Sequence, residues 1–390
     1  MPPEPEVPPK PRLITGSFLL VALATLAYFI GENAVLPVLP VYVTRTLGGS
    51  DVAVGIVIGA FSVTALLVRP WAGRFADRRG RRLPMALGAG LFTLSVAGYV
   101  LADSVPELVA MRLLTGIGEA FMFTAAASAI ADMAPDERRG EAISFFSLAL
   151  WTGIAVGPTI GEIAAHGGRF ALVWVLAAGF GALAAVLALG VQLPRPAGPQ
   201  EGASGRLIHR AGVLPGTALL TSIWGAAGFF AFVPLYARQL GLPGSRFVFV
   251  VFSGIVLAIR LFGARLPDAL GAHRLSRGSL VVSAGGLALM SLWRTPAGLF
   301  GGTAVFAVGQ ALAFPAMMAL ALRGARPGER GAVIGTFTAF VDMGFGAGPA
   351  LLGFVANAFG YPATFLTGSM VALLGVGLLL ARSPREPSRV

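Results

Sequence analysis

Four acids and one arginine fall within long apolar runs of this chain: Glu32, Glu119, Glu162 and Asp342, with Arg112. An ionisable group in the middle of a membrane-length apolar segment is expensive and is a functional candidate by default. Glu32 lies 13 residues from Arg45 at the end of its run, roughly 20 Å at 1.5 Å per residue. Glu119 lies as deep, 13 residues from Pro106. Arg112 is seven residues from Glu119, so both project from one helix face. A carboxylate in a low-dielectric site changes protonation as a guanidinium or a cationic ligand approaches or leaves. That is the chemistry of proton coupling. The competing reading is a static buried ion pair that ties two helices together. Asp342, in a glycine-rich run, is a further coupling candidate, while Glu162 lies near the end of its run and is expected to reach water. Arg69 and Arg260 fall near run ends and are expected to anchor there by snorkelling or pairing with acids.

The elements that hold these residues follow from composition. Hydrophobic residues make up 56% of the 390-residue chain and charged residues 12%, about half the charged share of a soluble domain. Mean hydropathy is +0.79. Runs near the roughly 20 residues of a bilayer core recur along the chain. They are continuously apolar rather than alternating, so they are helices and not barrel strands. Twelve spans are expected: 13–44, 51–70, 82–102, 106–131, 140–164, 169–191, 211–237, 246–264, 276–293, 297–322, 330–357 and 360–381. The Pro-rich tail 1–12 and the tail 382–390 flank them. Residues 192–210, rich in Pro, Gly and Ser, read as a linker between six-helix bundles 13–191 and 211–381.

The net charge of +11 comes almost wholly from arginine. Alternate loops and the two tails hold 21 of the 29 basic residues, and the opposite loops hold five. By the positive-inside rule both termini are cytoplasmic. Basic residues confined to short loops argue against nucleic-acid binding. The absence of cysteine removes thiolate metal sites and disulfides. Only His166, His209 and His273 are present, all near span ends, and no paired acidic metal motif accompanies them. A membrane enzyme is therefore disfavoured, and no metal or cofactor is expected.

The two halves echo each other. Pro40 and Tyr42 match Pro234 and Tyr236. Gly73, Asp77 and Gly80 match Gly263, Asp268 and Gly271, and Arg69 and Arg260 occupy corresponding helices. Gly157-Pro158 in span five matches Gly348-Pro349 in span eleven. Two parallel six-span repeats suit a transporter with its site at their interface near the midplane.

The loop GRFADRRGRR, from Gly73 to Arg82, resembles the signature of the major facilitator superfamily: Gly73, Asp77, Arg78, Gly80, then Arg81 and Arg82. Arg112, Gly116 and Gly118 resemble its helix-four motif. Gly153, Gly157, Pro158 and Gly161 resemble the helix-five motif of its proton-coupled antiporters, with Ser144 and Glu162 where that motif has glycine. The resemblance spans nearly the whole chain. It implies an all-α membrane protein of twelve transmembrane helices in two pseudo-symmetric six-helix bundles. It also implies a conformational latch at the loop. Gly73 would let span two pack closely. Asp77 would accept hydrogen bonds from the start of a helix, the eleventh, whose positive end favours a carboxylate. Pro158 would kink span five.

In that family helices one, four, seven and ten line the central cavity, which would bring Glu32, Arg112 and Glu119 together. Tyr28 and Asn33 on span one, Trp224, Phe229 and Phe230 on span seven, and Gln310 and Phe314 on span ten would complete a mostly apolar wall. Such a wall suits amphiphilic cargo better than sugars. The expectation is a secondary active exporter driven by protons, resembling drug/proton antiporters, monomeric, in a prokaryotic inner membrane. Its partners would be a small-molecule substrate, protons and the bilayer. Uptake or sugar transport, lipid translocation, and a non-transporting receptor are the alternatives.

Overall fold

The computed structural model describes residues 14–134, 138–193, 209–262, 271–323 and 330–381. Both tails, most of the linker, Gly263 and Asp268 of the second-half loop, and the chain just before the eleventh span lie outside the described residues. Thirteen α-helices form among the described residues: α1 (Gly16–Val35), α2 (Leu39–Arg45), α3 (Asp51–Arg79), α4 (Arg82–Gly98), α5 (Val105–Met133), α6 (Arg139–Ala164), α7 (Phe170–Leu189), α8 (Arg210–Gln239), α9 (Arg246–Phe262), α10 (Ala272–Leu292), α11 (Pro296–Arg323), α12 (Arg330–Phe359) and α13 (Tyr361–Ala381).

The first span is two helices because Pro37 interrupts the apolar run and Pro40 restarts it in the first turn of α2, where a missing N–H costs nothing. Together they cover 30 residues. Among the described residues, eleven segments are long and apolar enough to cross a membrane. The twelfth, α9, has 17 described residues and two charges, Arg246 and Arg260. Polar caps set several starts. Thr15 Oγ1 accepts from the Phe18 amide at 3.2 Å, and Ser104 with Glu107 forms a capping box at the start of α5. Gly80, at φ +81°, stops α3 in a conformation that favours glycine.

The packing repeats as the sequence does. In the first half α1 lies on α6 and α7, α5 on α3 and α4, and α4 on α7. In the second half α8 lies on α12 and α13, α11 on α9 and α10, and α10 on α13. Even single hydrogen bonds recur. Tyr42 donates to the Ala102 carbonyl at 3.0 Å, and its repeat partner Tyr236 donates to the Met290 carbonyl at 3.1 Å. Between the halves the main contacts are α3 against α12 and α6 against α9.

Several of those inter-half contacts lie toward the end of the bundle far from the arginine loop. Asp51 accepts from the Tyr361 hydroxyl at 3.1 Å, Ser245 donates to Glu162, and Ser253 donates to the Ala155 carbonyl. Glu162, expected to reach water, is thus an inter-half contact. Gly55 and Gly59 face Pro349 and Gly346 so closely that a Cβ would sit 2.2 and 2.3 Å from their carbonyl oxygens. Among the described residues, no hydrogen bond or ion pair joins the last ten residues of α3 to the second half.

Candidate functional site

Midway along the interface the two halves line an open-sided cavity of about 100 Å³. Its polar lining is Glu32, Asn33, Arg69, Glu119, Thr338 and Asp342, set among Phe29, Phe61, Phe123, Trp151, Phe314 and Phe345. All three acids are buried. Arg69 from α3 reaches across the interface, its Nη2 2.9 Å from both Asp342 oxygens. The same nitrogen lies 3.6 Å from Glu119 Oε1, and the guanidinium sits 5.0 Å from the centre of the Phe123 ring. One cation therefore serves two acids on opposite halves. Glu32 faces the same space and makes no hydrogen bond or ion pair among the described residues.

Three of the expected coupling residues, Glu32, Glu119 and Asp342, meet here. The fourth does not join them. Arg112 is fully buried and turned to α3, donating to the carbonyls of Val57 and Ile58 at 3.2 Å each, with Phe61 stacked 4.6 Å away. Gly116 explains this. A Cβ there would lie 1.9 Å from the Phe61 carbonyl oxygen, so α3 and α5 touch backbone to backbone and the guanidinium meets α3 first. Arg69, expected to anchor at the end of its run by snorkelling or pairing with acids, does pair with acids, but inside the bundle and not at its end. Its position in a run that continues apolar almost to Gly73 is the one signal that pointed inward.

Of the expected cavity wall, Asn33 and Phe314 line the space. Asn33 also donates to the Phe29 carbonyl at 2.9 Å. Tyr28 points instead into the first half, fully buried against Phe92 at 4.9 Å between ring centres. Phe229 and Phe230 join Phe249, Phe252 and Phe306 in an aromatic cluster of the second half, and Phe230 and Gln310 also line a smaller inter-half pocket with Trp151. Trp224 packs beside Gly348. Gln310 donates to the hydroxyls of Ser222 and Ser283 at 2.9 and 3.3 Å. A helix face shared by several residues leaves open which neighbour each one meets.

Gly153, Gly157 and Gly161 face α1, not the second half. At Gly161 a Cβ would fall 1.8 Å from the Ala34 carbonyl oxygen. Close packing of α6 on α1 needs these glycines. The helix runs unbroken through Pro158.

At the loop, Arg81 bridges two acids of the first half, Asp77 at 2.6 Å and Asp132 at 2.8 Å. Burial opposes the charge of Arg81, yet its bonds to Asp132 and Asp77 outweigh that and raise its pKa. Gly73 is not tightly packed, since a Cβ there would meet only a Thr124 methyl at 3.8 Å. The expected contact of Asp77 with the eleventh span involves a start whose preceding chain lies outside the described residues. Arg81→Gln is expected to cost about 1 kcal/mol or less, because Asp77 is largely solvated. A thermal melt showing a much larger loss would mean that the network holds the first half together.

Sequence and structure comparisons agree with this architecture. The family model described as Major Facilitator Superfamily matches residues 21–292 and 246–390. An uncharacterized MFS-type transporter of Salmonella typhimurium is 30% identical over 361 residues, covering 88% of this chain and 90% of that protein. One from Burkholderia mallei is 29% identical over 386 residues, covering 95% and 93%. Two solved structures share the fold. The human organic anion transporter MFSD10 (TETRAN) aligns at TM-score 0.72 and 20% identity, covering 93% of this chain and 99% of that one. A bacterial homolog of the human lysosomal transporter Spinster, inward-facing and unoccupied, aligns at TM-score 0.73 and 16% identity, covering 94% of each. A chain whose described residues form long apolar helices in two repeats, matched by this family model along nearly all its length, belongs to the Major Facilitator Superfamily and is a multi-pass membrane transporter.

Proposed function

We propose that this transporter exports small amphiphilic compounds in exchange for protons, rocking its two halves about the cavity that holds Glu32, Glu119 and Asp342. The observation that carries the reading is the sharing of Arg69 between Glu119 of one half and Asp342 of the other. Protonation of either acid weakens its hold on the guanidinium, so a proton arriving in the cavity acts directly on a contact between the halves. The apolar and aromatic lining favours cargo with an apolar body and a polar group.

At about 100 Å³ the cavity is below the 300 Å³ or so of a typical ligand pocket. Cargo binding then requires the halves to part further. The arginine bias of the loops supports placing the loop end in the cytoplasm, and the bacterial relatives support an inner membrane. In that orientation the contacts around Asp51 and Glu162 close the outer side. The chain acts as a monomer, and the loop at Asp77, Arg78, Gly80, Arg81 and Arg82 serves as its latch.

The test is flux in liposomes. Purified protein is screened against amphiphilic compounds under pH gradients of either sign. Export by exchange predicts accumulation only when protons flow opposite to cargo; co-transport in one direction would indicate uptake instead. Glu32→Gln is expected to abolish gradient-driven flux while the protein remains folded. Unchanged proton-driven flux in that variant would sink the coupling role of Glu32. Movement of a fluorescent phospholipid in place of soluble cargo would replace export with lipid translocation.

A further inference from the structure

An offset of 191 residues carries Gly118 to Gly309 and Gly157-Pro158 to Gly348-Pro349. The same offset carries Arg69 to Arg260, Asp342 back to Trp151 and Glu119 to Gln310. The fold honours this relation. Arg69 on α3 meets Asp342 on α12 at one inter-half interface, and Arg260 on α9 meets Trp151 on α6 at the other. The ion pair thus has a twin in which the arginine is kept and both acids are gone. In their places stand an indole, 4.4 Å below the guanidinium, and a carboxamide already occupied by Ser222 and Ser283.

The retained cation is left short of partners. Nε and Nη2 of Arg260 are buried and make no hydrogen bond among the described residues. A ring face offsets only part of the cost of burying a guanidinium away from water. These two nitrogens form the edge of the guanidinium that grips a carboxylate with two parallel hydrogen bonds. The indole beneath it is part of the cavity wall. Trp151 packs against Phe314 at 5.1 Å between ring centres, and both line the space that Glu32, Glu119 and Asp342 face. Arg260 itself is not among the residues that line this cavity, so a carboxylate carried on these rings reaches it only once the halves part further, as cargo entry already requires.

We infer that Arg260, stacked on Trp151, is a subsite for the carboxylate of an amphiphilic cargo, on the side of the interface related by symmetry to the acid cluster. The inference rests on the reading of the cavity as the cargo site, and it narrows the cargo to compounds with a carboxylate on an apolar, ring-bearing body. Its test needs no gradient, so it can fail while proton-driven flux succeeds, and the reverse.

Full-length protein in nanodiscs is titrated calorimetrically with 2-naphthoate, 2-naphthamide and 2-naphthylmethylammonium, with empty nanodiscs subtracted. Naphthoate is expected to bind about tenfold or more tightly than the amide. Arg260→Gln should bring naphthoate down to the affinity of the amide and leave the amide nearly unchanged. Arg260→Lys, which keeps the charge and loses the fork, should retain part of the preference and guards against a misfolded glutamine variant. Equal binding of naphthoate and naphthamide by the unaltered protein would overturn the inference. So would a naphthoate preference that survives in Arg260→Gln, which would point to another cation.

Discussion

Arg69→Gln is expected to abolish gradient-driven transport and to destabilise the protein by about 3–5 kcal/mol, the usual cost of stranding a buried charge by removing its partner. Two carboxylates lose their cation in this variant, Asp342 at 2.9 Å and Glu119 at 3.6 Å. The companion variants separate structure from coupling. Adding Asp342→Asn to Arg69→Gln removes one stranded acid, so much of the thermal stability should return. Transport should not, because nothing then links the proton to the contact between halves. Melting curves in detergent and flux in liposomes read the two effects independently. A double variant that recovers flux along with stability would reduce the pair to a structural bridge. Single variants alone would not tell these cases apart, because each both breaks a bond and leaves a charge behind.

The second large effect is expected at Gly59. A Cβ there falls 2.3 Å from the Gly346 carbonyl oxygen, and backbone cannot swing aside as a side chain would. The clash lies between the halves, not within either one, so Gly59→Ala should leave each bundle folded while disfavouring the arrangement seen here. Overpacking costs about 1–3 kcal/mol, which shifts a two-state equilibrium roughly 5- to 150-fold. The chain has no cysteine, so one placed at Leu36, in the cavity wall, is a clean reporter. Its labelling by an impermeant maleimide added at the Asp51 end should speed up by a factor in that range. An unchanged rate, with the protein still folded, would show that this glycine contact does not control opening. By contrast, Gly116→Ala meets the Phe61 carbonyl inside the first half, so that substitution is expected to cost folded protein and not to change accessibility.

Both predictions depend on details that the sequence made legible to different degrees. The twelve spans were plain, because a bilayer demands about 20 apolar residues and a helix for each crossing. The repeat was plain as well, in Tyr42 and Tyr236 and in the two Gly-Pro pairs, and both sets keep matching places in the packing. The acids were found by a simple rule, that charge in an apolar run needs a reason. Glu32, Glu119 and Asp342 were singled out on that ground, and all three face one cavity.

Their partner was not legible. Spacing put Arg112 and Glu119 on one face of α5, and a face is as far as helical periodicity reaches. Which neighbour an arginine meets depends on how closely the next helix comes. Gly116 brings α3 against α5, and the guanidinium of Arg112 is taken up by the carbonyls of Val57 and Ile58. Arg69 looked like an end anchor because it falls near the end of its apolar run. The α3 helix runs on to Arg79, which leaves Arg69 well inside the bundle and able to cross to Asp342, 273 positions away in the chain. Local pattern thus determined which residues carry charge into the membrane, through the energetic penalty that every such residue must answer. Tertiary packing decided who pairs with whom, because a long side chain bonds to the first complementary group within its reach, and that group is set by backbone approach between helices distant in sequence.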